Sequence, residues 1–449
     1  MSIRRLLVAN RGEIAMRVIR AARGLGIETV LAASEPDRHA LPARYADRTI
    51  CIGPARASES YLRVETVVAA ALGVGADAIH PGYGFLSENA ALAEACDDAG
   101  IVFVGPTAAQ VLEVGDKLRA REAARAADVP VTPGGPIASY ESARELAERV
   151  GYPVLIKAVG GGGGRGMKRV DAPAHLEASM TLAVAEARAA FGDARLYLER
   201  FVENGRHIEV QVVGDGTNVL HFGERDCSIQ RRYQKLLEEA CAVDVPIDVR
   251  DAMRAAAVRF AARLHYRGAG TVEFLYDADR RDFSFLEMNA RIQVEHPVSE
   301  AVTGVDLVAL QLSIAGGASL PFAQDDVVFE GHAIECRINA EDPANDFRPS
   351  AGTIATAAFP TGPGIRVETF VESGSRVLPF YDSLIAKIVA HAPTRPAAIE
   401  RMRVALRQCR IDGIATNLAM HASILGDETF RRGAVTTAYF RTEHVPSHA

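Results

Sequence analysis

Between Glu287 and Pro297 the chain reads Glu-Met-Asn-Ala-Arg-Ile-Gln-Val-Glu-His-Pro. Its period-two alternation constrains the fold more than any other stretch. Read as a strand, Glu287, Asn289, Arg291, Gln293 and Glu295 share one face, while Ile292 and Val294 lie on the other. Carboxylates at both ends of that face bracket a guanidinium, which suits a metal at one end and a small anion at the other. The alternative is a solvated edge strand laced with ion pairs.

The preceding residues predict a hairpin, Thr271 to Tyr276 pairing with Phe283 to Met288. With its turn centred on Arg280, Glu273 stands directly across from Glu287. Cβ atoms of such a pair are ~4.5–5.5 Å apart, and like charges there repel. A cation or a shared proton must neutralise them. Hard oxygen ligands point to Mg²⁺ or Mn²⁺ beside phosphates. A register one residue off would separate the pair.

Val154 to Val159 reads as a buried strand ending in Gly160-Gly161-Gly162-Gly163-Gly164-Arg165-Gly166, with Met167 to Val170 returning. Glycines let backbone N–H groups wrap an anion closely, and Lys157 adds a point charge. The order is strand–loop–strand and no G-x-x-x-x-G-K-[ST] occurs, so this is not a Walker A loop. A flexible linker is the bland alternative. The run Glu224 to Lys235 is dense in charge and predicts either an anion-binding wall or a solvated face. Near the C-terminus, Glu335-Cys336-Arg337-Ile338-Asn339 alternates again. Arg337 is a candidate for stabilising an oxyanion, or a structural ion-pair partner. In the opening run, Arg291 suits bidentate capture of a planar anion and Gln293 its orientation. Glu295 suits a general base, kept ionised by the nearby arginine.

Around these motifs the first region alternates strand and helix. The pattern predicts strands at Leu6–Ala9, Thr29–Ala32, Ala78–His80 and Ile101–Val104, with helices at Ile14–Arg23, Val64–Leu72 and Asn89–Ala99. That argues a parallel α/β sheet. The first turn, Asn10-Arg11-Gly12-Glu13, lacks G-x-G-x-x-G, so dinucleotide binding is not expected. Later come a helix at Lys117–Ala127, a Pro/Gly-rich boundary at 130–136, hairpins at 209–222 and 271–288, and a helix at Pro396–Arg407.

A chain of 449 residues exceeds one core and predicts about three domains. Net charge −7 argues against nucleic acid or an anionic membrane as the main partner, and no apolar run reaches the ~20 residues of a span. The six scattered cysteines predict free thiols in a reducing cytoplasm. Lys and Arg total 50, yet only Lys117, Lys157, Lys168, Lys235 and Lys387 are lysine. Lysine supplies a compact point charge that arginine's fork does not reproduce.

Together these segments resemble the biotin carboxylases of the ATP-grasp superfamily. The matching pieces are Ala9–Ala15, His80–Asn89, Gly115–Lys117, the Lys157–Met167 loop, Glu224–Lys235, the opening run and Cys336–Asp342. The resemblance implies an α/β and α+β protein in three parts. These are an N-terminal Rossmann-like domain at 1–114, an ATP-grasp domain at 115–330 with a lid at about 131–204, and a C-terminal domain at 331–446. It implies that ATP and bicarbonate form carboxyphosphate, which carboxylates N1′ of biotin on a carrier protein. Carried over, Lys117, Lys157, Gly162, Gly163, Gly164, Gly166 and Met167 hold ATP phosphates. Glu199, Val202, His207, Gln230 and Leu275 line the nucleotide pocket, with position 233 close to the transferred phosphate. Glu273 and Glu287, with Asn289 nearby, bind Mg²⁺ or Mn²⁺. Lys235, Arg291, Gln293 and Val294 hold bicarbonate, Glu295 deprotonates it, Arg337 stabilises the biotin enolate, and Tyr83 lies near the ring.

The resemblance also implies a homodimer, a separate biotin carboxyl carrier protein and a separate carboxyltransferase, most often within an acetyl-CoA or other acyl-CoA carboxylase. Tyr233 stands where the family commonly has His, and Cys241 where it usually has Pro; Arg200 and Val202 stand for a common Lys and Leu. Another ATP-grasp ligase, or a nucleotide-binding paralogue without turnover, are the alternative readings.

Overall fold

The computed structural model describes residues 3–160 and 167–442. Strand and helix alternate through the first hundred residues, and the strands assemble as a parallel sheet. Its order is Arg48–Cys51, Glu28–Ala33, Arg5–Val8, Ala78–His80, Val102–Phe103. Leu6, Leu7 and Val8 on the central strand are fully buried, as expected of a parallel strand covered on both faces. The helices Gly12–Gly24, Val64–Val74 and Ala90–Asp98 lie within a residue or two of the spans that periodicity predicts. Local chemistry sets their ends. The Asn89 side chain accepts from Leu92 N to cap one helix, and Gly75, at φ 66°, closes another.

Among the described residues, the largest sheet has eight strands and is antiparallel throughout. Its order is Asp282–Asn289, Arg267–Asp277, Gly205–Asp215, Val219–Arg231, Gln234–Ala240, His332–Asn339, Leu384–Ala392, Ile365–Thr369. It passes without a break from the central third of the chain into the last third. The seam pairs Leu237 with Cys336 and Glu238 with Glu335. Helix Ile247–Arg263 packs Met253, Ala257 and Phe260 beneath the central strands. Helix Arg395–Gln408, with Pro396 in its first turn as predicted, covers the C-terminal strands through Ile399, Met402 and Leu406.

A four-stranded sheet stands apart with its own core. Its order is Gly134–Ile137, Leu196–Arg200, Val154–Ala158, Met167–Val170, and Ile156, Val170 and Leu198 pack against Leu146 of helix Tyr140–Val150. Ile156 pairs with Lys168, so the predicted hairpin forms on either side of the glycine loop. Gly162, Gly163, Gly164 and Gly166 themselves lie outside the described residues.

One element differs from expectation. The strand that carries Glu287 ends at Asn289, and Ala290–Glu295 form a turn leading into helix His296–Thr303. Pro297 has no amide for a sheet ladder, and its fixed φ suits a first helical turn. The bond from Val298 N to Glu295 O, at 3.3 Å, starts that helix. Arg291, Gln293 and Glu295 therefore do not share a strand face with Glu287.

Candidate active site

The parallel sheet, the large antiparallel sheet and the four-stranded unit enclose a cavity of about 1210 Å³. Every described candidate lines it: Tyr83, Lys117, Lys157, Met167, Glu199, Val202, His207, Gln230, Tyr233, Lys235, Glu273, Leu275, Glu287, Asn289, Arg291, Gln293, Val294, Glu295 and Arg337.

Glu273 and Glu287 are direct partners across the hairpin, and Asn289 pairs with Thr271. The Glu273–Glu287 pairing is the predicted one, but the turn end of the hairpin pairs one residue out, from Phe274 with Phe285 to Asp277 with Asp282, and a bulge beside Glu273 brings the two carboxylates back opposite each other. The carboxylates are compensated from different sides. Lys117 Nζ lies 3.2 Å from Glu287 Oε2, whereas Glu273 Oε1 accepts from Lys235 at 3.0 Å and Gln293 Nε2 at 2.8 Å. His207 Nε2 lies 3.0 Å from Glu273 Oε2. Burial works against charge on His207, but Glu273 and Glu209 together raise the imidazole to about 9. Burial likewise opposes the Glu273 carboxylate, yet Lys235 and His207 hold it well below its ordinary range.

The donor set fits a hard divalent cation: two carboxylates and an amide oxygen from Glu273, Glu287 and Asn289. Among the described residues, two other sets of ligand atoms each lie within 4.8 Å of one another, His207, Glu209 and Glu273, and Glu209, Cys227 and Glu295. Asn289 Oδ1 accepts from Gln293.

Glu295 sits where the turn enters its helix, and it is almost wholly buried. Its Oε1 accepts from Lys235 Nζ at 2.8 Å and its Oε2 from Arg337 Nη2 at 2.8 Å. Burial pushes this carboxyl up, but Lys235 and then Arg337 bring it below the ordinary value. The arginine that aids the candidate base is thus chiefly Arg337 and not the expected neighbour Arg291. Arg291 Nε donates instead to Glu88 Oε2 at 2.8 Å. Arg337 Nε also contacts Glu238 Oε1 at 2.6 Å, as an ion pair without hydrogen-bond alignment. Burial raises the Glu238 carboxyl to about 7.

On the nucleotide side, Lys157 pairs with Glu199, which also receives Arg121 at 3.2 Å. Gln230 Nε2 lies 3.0 Å from His207 Nδ1. Arg232 and Tyr233, at φ 49° and 66°, are the central residues of the turn between strands Val219–Arg231 and Gln234–Ala240. A two-residue turn with both φ positive is the type I′ hairpin, unusual without glycine. It leaves the Tyr233 ring half exposed at the cavity.

The run 224–235 is not the anion-binding wall its charge suggested. Arg225 is fully buried and donates to Glu209, Gln211, Ser299, Thr271 and Gln293. Glu224 holds Arg250 and Arg254, Asp226 holds Arg206, and Arg231 and Arg232 both hold Asp346. Most of the charge is neutralised within the fold, and Gln230, Tyr233, Gln234 and Lys235 are what reach the cavity.

Sequence reasoning missed Glu209, Glu238 and Glu88. Glu209 pairs with Lys235 and is the strand partner of Glu273. Its signal was present in the alternation His207-Ile208-Glu209-Val210-Gln211. Glu88 belongs to the His80–Asn89 motif, which carried no role for it.

Comparison with known proteins follows the same division. Residues 2–111 match the family model for the biotin carboxylase N-terminal domain. Residues 116–323 match that for the carbamoyl-phosphate synthase L chain ATP binding domain, and residues 335–442 that for the biotin carboxylase C-terminal domain. The chain is 50% identical over 442 residues to a biotin carboxylase of Nostoc, covering 98% of this chain and 99% of that protein. It is 47% identical to a pyruvate carboxylase subunit of Methanothermobacter thermautotrophicus, covering 97% and 89%. Among solved structures, it is similar to the biotin carboxylase domain dimer of the 2-oxoglutarate carboxylase of Hydrogenobacter thermophilus, determined with MgADP, ADP and bicarbonate. The TM-score is 0.95 at 46% identity, with both chains fully covered. An ATP-grasp centre joined at a shared sheet to a C-terminal part, with identity at this level along the whole length, makes the chain a member of the biotin carboxylase family.

Proposed function

We propose that this chain catalyses the ATP-dependent carboxylation of biotin by bicarbonate, through carboxyphosphate, on a separate biotin carboxyl carrier protein. The observation that carries the reading is the bridging position of Glu295, bound through one oxygen to Lys235 and through the other to Arg337. One carboxylate so joins a lysine and an arginine carried on two neighbouring strands of the large sheet.

Lys117, Lys157, Met167 and the glycines 162–164 and 166 hold the ATP phosphates. Glu199, Val202, His207, Gln230 and Leu275 line the adenosine side, and Tyr233 stands beside the transferred phosphate. Glu273 and Glu287, with Asn289, would hold Mg²⁺ or Mn²⁺, which supplies positive charge to the nucleotide phosphates when bound. Lys235, Arg291, Gln293 and the Val294 backbone orient bicarbonate. Glu295 takes the bicarbonate proton. The freed oxygen attacks the γ-phosphorus in line as the bond to ADP breaks, giving carboxyphosphate. The carboxyl–phosphate bond then breaks, the released phosphate takes the N1′ proton of biotin, and the carboxyl passes to N1′, with Arg337 stabilising the enolate oxygen and Tyr83 bordering the ring. The separate core of the four-stranded unit supports its acting as a lid, at about 131–204, within an ATP-grasp domain at 115–330 that follows a part at 1–114 and precedes one at 331–446.

We further infer a cytoplasmic homodimer serving an acyl-CoA carboxylase, with a separate transferase choosing the acceptor. The similarity to a pyruvate carboxylase component supports a second reading, in which a 2-oxo acid is carboxylated. The reaction predicts bicarbonate-dependent ATP hydrolysis stimulated by free biotin. No stimulation at any biotin concentration would sink it. Carboxyl transfer from the reconstituted complex to acetyl-CoA, or instead to pyruvate, separates the two acceptor readings.

A further inference from the structure

Two sequence features have no part in the chemistry above: the first turn, Asn10-Arg11-Gly12-Glu13, and the fifth lysine, Lys387. The fold brings them together. Lys387, on strand Leu384–Ala392, is fully buried; its Nζ donates to Val294 O at 2.7 Å and lies 3.1 Å from Glu13 Oε1. Glu13, in the first turn of helix Gly12–Gly24, accepts the Tyr83 hydroxyl proton on the same oxygen. Asn10 Nδ2 donates to both Pro81 O and Tyr83 O at 2.7 Å. Gly82 lets it do so, because a Cβ there would stand 2.9 Å from that amide nitrogen.

Three regions of the chain therefore meet at one buried ion pair. Val294 precedes Glu295 in the turn beside the bicarbonate candidates, and Tyr83 borders the biotin side. Lys387 is also the strand partner of Arg337. Adjacent like charges repel unless each has its own carboxylate. Here Arg337 has Glu295 and Glu238, and Lys387 has Glu13. An arginine fork at 387 would need more acceptors than one carbonyl and one shared carboxylate oxygen.

We propose that Glu13 and Lys387 are positioning residues for the carboxylation, a buried clamp that sets Tyr83 at a fixed distance from the Val294–Glu295 turn. It rests on the reading under Proposed function. Its effect is to hold biotin and the base of the bicarbonate half-site in reacting register, since small misplacements of reacting groups cost large factors in rate.

The test compares the full-length native chain with Lys387→Met, Glu13→Gln and the double variant. Thermal unfolding and ATP binding by calorimetry monitor the fold and the nucleotide half. The clamp predicts that each folded variant keeps the ATP KM within about twofold while kcat for biotin-stimulated hydrolysis falls about tenfold or more. The double variant, which leaves no lone buried charge, should recover thermal stability relative to Lys387→Met without recovering kcat. Native kcat and biotin KM in any folded variant lacking the ion pair would overturn the proposal. So would recovery of kcat in step with stability, or failure of all three variants to fold, since either assigns the pair to the fold alone. A native chain without biotin-stimulated hydrolysis fails the functional reading first and the clamp with it. An active native chain with unaffected variants fails the clamp alone.

Discussion

The ammonium of Lys235 lies 2.8 Å from Oε1 of Glu295, so a cavity-lining cation and the candidate base are joined by one hydrogen bond. A lysine this buried would ordinarily lose its proton. Burial does lower its pKa, but Glu209, Glu273 and Glu295 together raise it well above the ordinary value. Both partners are therefore charged at neutral pH, the state that anion binding and proton abstraction require.

Glu295→Gln keeps the volume and one hydrogen-bond acceptor but removes the base. Biotin-stimulated hydrolysis should fall by about 10²–10⁴-fold. Calorimetry should find nucleotide affinity changed by less than about threefold. Comparable turnover in the variant would remove Glu295 from its role.

Glu287→Gln should raise the Mg²⁺ concentration for half-maximal activity by about tenfold or more, because one of two anionic oxygens is lost. A Mg²⁺ titration that superimposes on that of the native chain would count against the Glu273–Glu287 site.

Arg337 spans Glu238 and Glu295 with one planar guanidinium. Lysine does not reproduce that geometry. Arg337→Lys should lower kcat/KM for free biotin by about 10²-fold and leave ATP binding intact. Steady-state kinetics with varied biotin would detect it, and a native value would assign Arg337 to the fold.

Glu239 offers a stability test remote from catalysis. Burial alone would raise its carboxyl, but His332 at 2.8 Å and Arg395 at 2.7 and 2.9 Å hold it at about 2, against an ordinary 4.5. The folded state then binds fewer protons than the unfolded one across that interval. Its stabilisation is present above about pH 4.5 and is lost as pH falls toward 2. In urea unfolding, the advantage of the native chain over Glu239→Gln should narrow by about 1 kcal/mol between pH 6 and pH 3.5. A difference independent of pH would contradict the assignment.

Much of the site was legible because its markers are local. The hairpin that carries Glu273 and Glu287 follows from a short turn between two strand-forming runs, though the bulge that sets the two carboxylates opposite each other was not legible, and the N-terminal helices follow from periodicity bounded by Asn89 and Gly75. What misled was also local. The alternation from Glu287 to Glu295 reads as one strand, yet Pro297 turns its second half into a helix entrance, and the charged run 224–235 is spent largely on buried partners. Glu209 and Glu238 escaped notice because each lies in a strand of ordinary appearance. Only the sheet order sets Glu209 beside Lys235 and Glu238 beside Arg337.

By itself the sequence determined which residues could carry phosphate, metal and bicarbonate chemistry, and which local elements would present them. The tertiary structure decided who partners whom. Lys235 with Glu295, Arg337 with Glu295, and Lys387 with Glu13 each join residues far apart in the chain. The physical reason is that periodicity and turns act over a few residues. The charge state of a buried group depends on neighbours delivered by strand order and long-range packing, which no local pattern encodes.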